Sequence, residues 1–115
     1  MTIKRIQPGP RMSQAVVHGD KVYLAGVVAQ DSSLDVLGQT RQILARIDEL
    51  LELAGSNKSK ILKANIWLTD ISTFADMNAA WDAWASPGNT PARATVESKL
   101  AGPGLSVEIM VEAAL

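Results

Sequence analysis

Pro91-Ala92-Arg93-Ala94-Thr95-Val96, followed by Leu105-Ser106-Val107-Glu108-Ile109-Met110, is the stretch on which the reading of this chain turns. The two halves read as strands around an Ala101-Gly102-Pro103-Gly104 turn, each carrying one charged group among apolar neighbours. A guanidinium and a carboxylate held on a rigid sheet are costly unless paired or hydrogen-bonded. They are a structural ion pair, two solvated edge charges, or a pair of reagents. Arg grips a planar carboxylate through two parallel hydrogen bonds, and Glu orients or deprotonates a water. The third reading implies a small pocket in which water attacks a carboxylate-bearing molecule.

A hairpin centred on Gly102-Pro103 sets Glu108 opposite Glu97 and Arg93 opposite Glu112. All four then share one face, because side chains alternate with period two. Arg93 and Glu108 are still offset by roughly 13 Å along the ribbon, at about 3.3 Å per residue. That is too far for both to hold one small molecule within one subunit. Either the register differs, or the site combines Arg93 of one chain with Glu108 of a neighbour, which is the preferred expectation.

Working outward, Ile3 to Gln7 reads as a short edge strand closed by Pro8-Gly9-Pro10. Ser13 to His18 and Lys21 to Val28 form a hairpin over Gly19-Asp20, suited to a type II′ or I′ turn. From Leu34 the period changes. Leu37, Thr40, Leu44, Ile47, Leu51 and Ala54 mark one face of an amphipathic helix, which Gly55 ends. Glu49 and Glu52 read as its solvated face rather than as an acid/base pair. Ile61 to Thr69 alternates again, with Leu62, Ala64, Ile66 and Leu68 facing one way and Lys63, Asn65, Trp67 and Thr69 the other. Asp70 or Ser72 caps a second helix carrying Phe74, Met77, Trp81 and Trp84 on one stripe, and Pro87-Gly88 ends it. Trp81 and Trp84 could wall a pocket, with anchorage of the helix to the sheet as the default.

The order is thus β-β-β-α-β-α-β-β, an α+β domain spanning 1–115 as a single unit. Helices between strands act as right-handed crossovers, so both fall on one face of a single mixed sheet. The other face, with Trp67, Val96 or Thr95, and parts of Tyr23 to Val28, is left uncovered. A monomer rarely exposes so much apolar sheet, and burial of about 800 Å² per subunit in self-association would resolve it.

Composition narrows the chemistry. With a net charge of −1 and few aromatic residues, the chain has no electrostatic footprint for nucleic acid. The absence of cysteine excludes disulfides, thiolate nucleophiles and zinc–cysteine sites. The single histidine, His18, excludes a multi-histidine metal site and reads as a turn residue before Gly19-Asp20. Neither an apolar signal core nor a membrane-length apolar run is present, so a cytoplasmic location is expected.

The order of elements resembles the RidA/YjgF family, also called the RutC or L-PSP family, over essentially the whole chain. The resemblance is carried by Ala25-Gly26, by Ala54-Gly55, by Ile61 to Asp70 and by Phe74-Ala75-Asp76-Met77-Asn78. Its most specific part is Pro91-Ala92-Arg93-Ala94-Thr95-Val96 with Val107-Glu108-Ile109. Gly55-Ser56-Asn57-Lys58-Ser59 and Met77-Asn78-Ala79-Ala80-Trp81-Asp82-Ala83-Trp84 look like the YoaB-like branch. The resemblance implies a chorismate-mutase-like fold assembled as a homotrimer with clefts between subunits. It also implies hydrolysis of reactive 2-imino or enamino acids to 2-keto acids and ammonia, without metal or organic cofactor. In that family the arginine matching Arg93 holds the substrate carboxylate, and the glutamate matching Glu108 positions the attacking water. Backbone groups at the glycine matching Gly26 contact the substrate, and Asn78 matches a cleft-lining asparagine. Met12, Ala25 and Thr95 stand where the family's archetype has tyrosine, serine and cysteine, and with Trp81 they complete the expected cleft wall. Three other roles are weighed beside this one: a trimer that only binds small carboxylates or keto acids, the ribonuclease or translation-inhibitor activity also attributed to the family, and a chorismate mutase. The last is suggested by fold alone and poorly served by one arginine for a dicarboxylate.

Overall fold

The hairpin over Gly19-Asp20 forms because glycine supplies the left-handed residue that the turn needs. Gly19 sits at φ +63° while Asp20 keeps a negative φ, the type II′ arrangement. The computed structural model describes residues 1–115. In it β2 (Ser13–His18) pairs antiparallel with β3 (Lys21–Leu24), His18 opposite Lys21, and β1 (Ile3–Pro8) lies outside β2. The apolar run after Lys21 is not one strand. It breaks at Ala25-Gly26, and β4 (Val27–Val28) resumes alone against β7 (Val107–Ala114).

Helix α1 (Val36–Ala54) is capped by Asp35, whose carboxylate accepts from the Gly38 N–H, and it ends at Gly55 with φ +85°. Its buried face is broader than the expected stripe. Ile43, Leu50 and the polar Gln39 join Thr40, Leu44, Ile47 and Leu51, while Leu37 and Ala54 stand at the margin. Strand β5 (Ile61–Leu68) buries Ala64, Ile66 and Leu68 as expected. Leu62 departs from the pattern and is exposed, because a bulge between Ile61 and Lys63 resets the alternation. Asp70 caps a 3₁₀ turn, Ile71–Thr73, through the Ser72 N–H, and α2 (Phe74–Trp84) follows without a side-chain cap of its own.

The strand order is β1-β2-β3-β7-β5-β6, with β4 also on β7 and β6 (Ala92–Glu97) at the edge. This corrects the expected hairpin between residues 92–97 and 107–114. Those strands do not pair, because β5 lies between them, parallel to β6 and antiparallel to β7. Arg93 therefore sits beside Ala64 and not Glu112; Glu97 sits beside Leu68 and not Glu108. The physical reason is the crossover through α2, which makes β5 and β6 parallel neighbours. Residues 98–106 then span the width of β5 at the sheet end. They are tied there by the Ser98 N–H to the Leu68 carbonyl and by the Thr69 N–H to the Ser106 carbonyl.

One core unites Val22, Leu24, Ile66, Leu68, Ile109 and Val111 of the sheet with Ile43, Leu44, Ile47, Leu50, Met77 and Trp81 of the helices. Both helices thus cover one face. Tyr23, Val28 and Val96 are exposed on the other, with Trp67 and Met110 half-buried. Thr95, beside Ile66, belongs to the helix side, so Val96 is the open-face residue of that pair of alternatives. No helix is long and apolar enough to cross a membrane.

Candidate functional site

The residues expected to form one site fall into two groups. The first lies where β6 meets α2. Arg93 shares the face of Ala64, toward the helices, and its guanidinium carbon stands 5.1 Å from the centre of the Trp81 ring and 5.8 Å from that of Phe74. Phe74 and Trp81 are two helical turns apart on one stripe of α2, and the cation stands over both rings. Asn78 occupies the same stripe of α2, and Thr95 is the next residue along the same face of β6. The Oδ1 of Asn78 and the Oγ1 of Thr95 are both shielded from solvent without a hydrogen-bond partner in the chain. A separate cavity of about 200 Å³ lies at the β5–β6 edge, lined by Lys63, Asn65, Ala92 and Ala94, which belong to the open face, together with Ala64 and Arg93.

The second group lies at the break between β3 and β4. Glu108 pairs across from Trp67 on one side and Val28 on the other, on the open face of the sheet. Its carboxylate lies over Gly26: a β-carbon built there would overlap Oε2 and stand 3.0 Å from Cδ. The break is held to β2 by the Ala25 N–H donating to the Gln14 carbonyl at 2.9 Å. Met12, two residues before Gln14, is exposed at the same end of the sheet, where its carbonyl accepts from the Gly9 N–H.

Arg93, Thr95, Asn78 and Trp81 are thus brought together, and so are Glu108, Gly26 and Ala25 with Met12 nearby. The two groups are not brought to each other. Strand β5 separates them, and Arg93 and Glu108 point to opposite faces, which corrects the single face expected from the hairpin. The structural ion pair that the sequence admits does not form within the chain, whose one salt bridge joins Arg46 and Glu49. Glu97, the nearest acid on the strand of Arg93, is engaged elsewhere and accepts from the Ile71 N–H at 3.1 Å.

Two supporting residues escaped the sequence reading. Phe74 was legible only as part of an apolar stripe, although an aromatic residue one turn before Asn78 could have marked it. Gln39 is 1% exposed and knits the approach to β7. Its side-chain amide donates to the carbonyls of Leu34 and Gly104, and its Oε1 accepts from the Ser106 N–H. A glutamine at core spacing in a helix is the signal that was available. Asp31 and Asp70, whose carboxyls are held below the ordinary range by hydrogen bonds from Ser33 and Ser72, are exposed loop residues outside both groups. No three acidic or histidine side chains converge as a metal ion would need.

Fold and site define the class: a small α+β domain whose arginine is packed under a helix and whose glutamate overlies a glycine at a strand break. Residues 2–115 match the family model described as Endoribonuclease L-PSP. The chain is 46% identical over 115 residues to the RutC family protein YoaB of Escherichia coli K12, covering 100% of both. It is 45% identical over 112 residues to a RutC family protein of Haemophilus influenzae, covering 96% of this chain and 97% of the other. The crystal structure of a YjgF family member from Neisseria meningitidis superimposes with a TM-score of 0.96 at 41% identity, covering 99% of this chain and 95% of that one. The chain belongs to the RutC family, the YjgF or L-PSP family that its motifs resemble.

Proposed function

We propose that the protein hydrolyses 2-imino and enamino acids to 2-keto acids and ammonia, in clefts between the subunits of a homotrimer. The observation that carries this reading is the separation of Arg93 from Glu108. Each is a charged group without an ionic partner in its own chain, and they face opposite sides of one sheet. A ring of subunits, each presenting its Arg93 group to the Glu108 group of the next, joins the two halves and covers the open face carrying Tyr23, Val28 and Val96.

In such a cleft Arg93 holds the carboxylate with two parallel N–H···O bonds, a geometry that lysine cannot copy. The protonated imine carbon is already electrophilic, so the protein supplies orientation and a placed water. Glu108 takes a proton as the water oxygen bonds to the imine carbon and the C=N π electrons move to nitrogen. The proton passes to that nitrogen. The carbinolamine then loses its hydroxyl proton to Glu108 as the C=O bond forms and the C–N bond breaks. Nitrogen departs as ammonia, which takes the proton back from Glu108 to leave as ammonium and restore the carboxylate. Asn78 Oδ1 and Thr95 Oγ1 are unpartnered beside Arg93 but shielded in the single chain, so a shift of the groups over them would be needed to bring them to the substrate amine or the carbinolamine hydroxyl. Met12 and Ala25 leave the opposite wall apolar.

Ammonia release from imino acids freshly generated by an amino-acid oxidase tests the reading. Acceleration over the uncatalysed rate, lost in Glu108→Gln, supports it. Keto-acid binding without acceleration would replace the enzyme with a carboxylate-binding trimer. The matching family model is named for an endoribonuclease, but the net charge of −1 and single histidine offer RNA neither a cationic surface nor a histidine pair.

A further inference from the structure

We propose that Phe74 and Trp81 are positioning residues that fix the Arg93 guanidinium, by its faces, in the orientation that an incoming carboxylate requires. The inference rests on the reading of Arg93 as the carboxylate anchor. A guanidinium carries all its donors in its own plane, whereas an aromatic ring engages its face. Standing over both rings, at 5.1 and 5.8 Å, Arg93 is immobilised without using the N–H groups that recognition needs. An acidic partner would have immobilised it too, but by consuming those donors. The chain keeps its acids away: Glu97 is turned to the Ile71 N–H, and no salt bridge reaches Arg93. A long side chain fixed before the ligand arrives loses no rotamer freedom on binding.

The clamp is braced from behind. Trp81 packs on Trp84, ring centres 5.3 Å apart and tilted by 59°. Trp84 is itself held at both ends: its Nε1–H donates to Asp48 Oδ2 at 3.0 Å, and Lys58 donates to its carbonyl at 2.6 Å while standing 5.4 Å over its ring. Trp81 is 5% exposed and Phe74 41%, so the inner ring is the stronger half of the clamp.

Two measurements test the proposal. In the ¹⁵N–¹H spectrum of the whole protein, ring currents should shift the Arg93 Nε–H resonance upfield, and Phe74→Leu and Trp81→Leu should each relieve part of that shift. An Arg93 resonance at the position of free arginine in the wild type would overturn the clamp. Calorimetric titration with 2-oxobutanoate should show Kd about tenfold higher in Trp81→Leu and about threefold higher in Phe74→Leu, with Trp81→Phe close to wild type. Trp81→Leu should add nothing further in an Arg93→Ala background. An equal loss with Arg93 absent would make the tryptophan a packing residue and overturn the positioning role. Phe74→Leu, at an exposed position, keeps the test open if Trp81→Leu fails to fold. Wild-type protein that shows the shift but binds no keto acid would instead overturn the anchor reading, and the positioning role with it.

Discussion

The carboxylate of Glu108 fills the space that a side chain on Gly26 would need. Gly26 is thus required for what it leaves open, since its φ is not in the left-handed region. Because the obstructing atoms belong to the flexible end of a glutamate, Gly26→Ala should displace the carboxylate and leave the strand in place. Imine hydrolysis is expected to fall by about 10²-fold or more, the low end of what a general base contributes, with a melting temperature within a few degrees of wild type. Ammonia release and a thermal melt measure the two. Full activity in the folded variant would mean that the location of Glu108 against Gly26 has no catalytic meaning.

Arg93→Ala should lower kcat/KM by about 10²-fold or more, the usual scale for removing one partner of a desolvated charge pair. Arg93→Lys keeps the charge but loses the fork and should also be badly impaired. Near-normal turnover by the lysine variant would make Arg93 a structural cation.

Glu108→Gln keeps the shape and one acceptor but cannot take a proton at neutral pH. The loss, about 10²–10⁴-fold, is expected in kcat rather than KM, with keto-acid binding retained. Mixing inactive Arg93→Ala and Glu108→Gln subunits should restore part of the activity, because some clefts then receive an intact residue from each side. No recovery after verified subunit exchange would place both residues in the pocket of one subunit.

Self-association itself is open to measurement. Light scattering across a size-exclusion peak is expected to return about three chain masses, the closed ring in which every open sheet face is covered. A monomer at micromolar concentration would remove the basis for a shared cleft.

Gln39→Leu should destabilise the fold by about 2–4 kcal/mol, since the Ser106 N–H and two carbonyls lose a buried partner. The melting temperature should drop by about 10 °C or more for a domain of this size. A variant as stable as wild type would show that water replaces the amide at no expense to the loop.

The sequence was most legible where the information is local. The Gly19-Asp20 hairpin and the Gly55 stop are decided by a few adjacent residues, and the helical stripes by spacing alone. The pairing of β6 was not legible in this way. Ala101-Gly102-Pro103-Gly104 is a sound turn signal, but nothing local says that β5, some thirty residues earlier, is the neighbour of both flanking strands. The bulge at Leu62 escaped for a related reason: a period-two pattern looks continuous until a partner strand fixes its phase. Arg93 and Glu108 stood out as charges among apolar residues, but the ring pair around Arg93 depends on how α2 crosses the sheet.

The opposed facing of Arg93 and Glu108 also bears on inheritance. In a closed ring each subunit borders two clefts and lends a different residue to each. A chain damaged at either residue alone silences one cleft, whereas a chain damaged at both silences every cleft it touches. Co-expressed with wild-type protein, the doubly altered chain would act as a dominant poison, and the singly altered chains would complement each other.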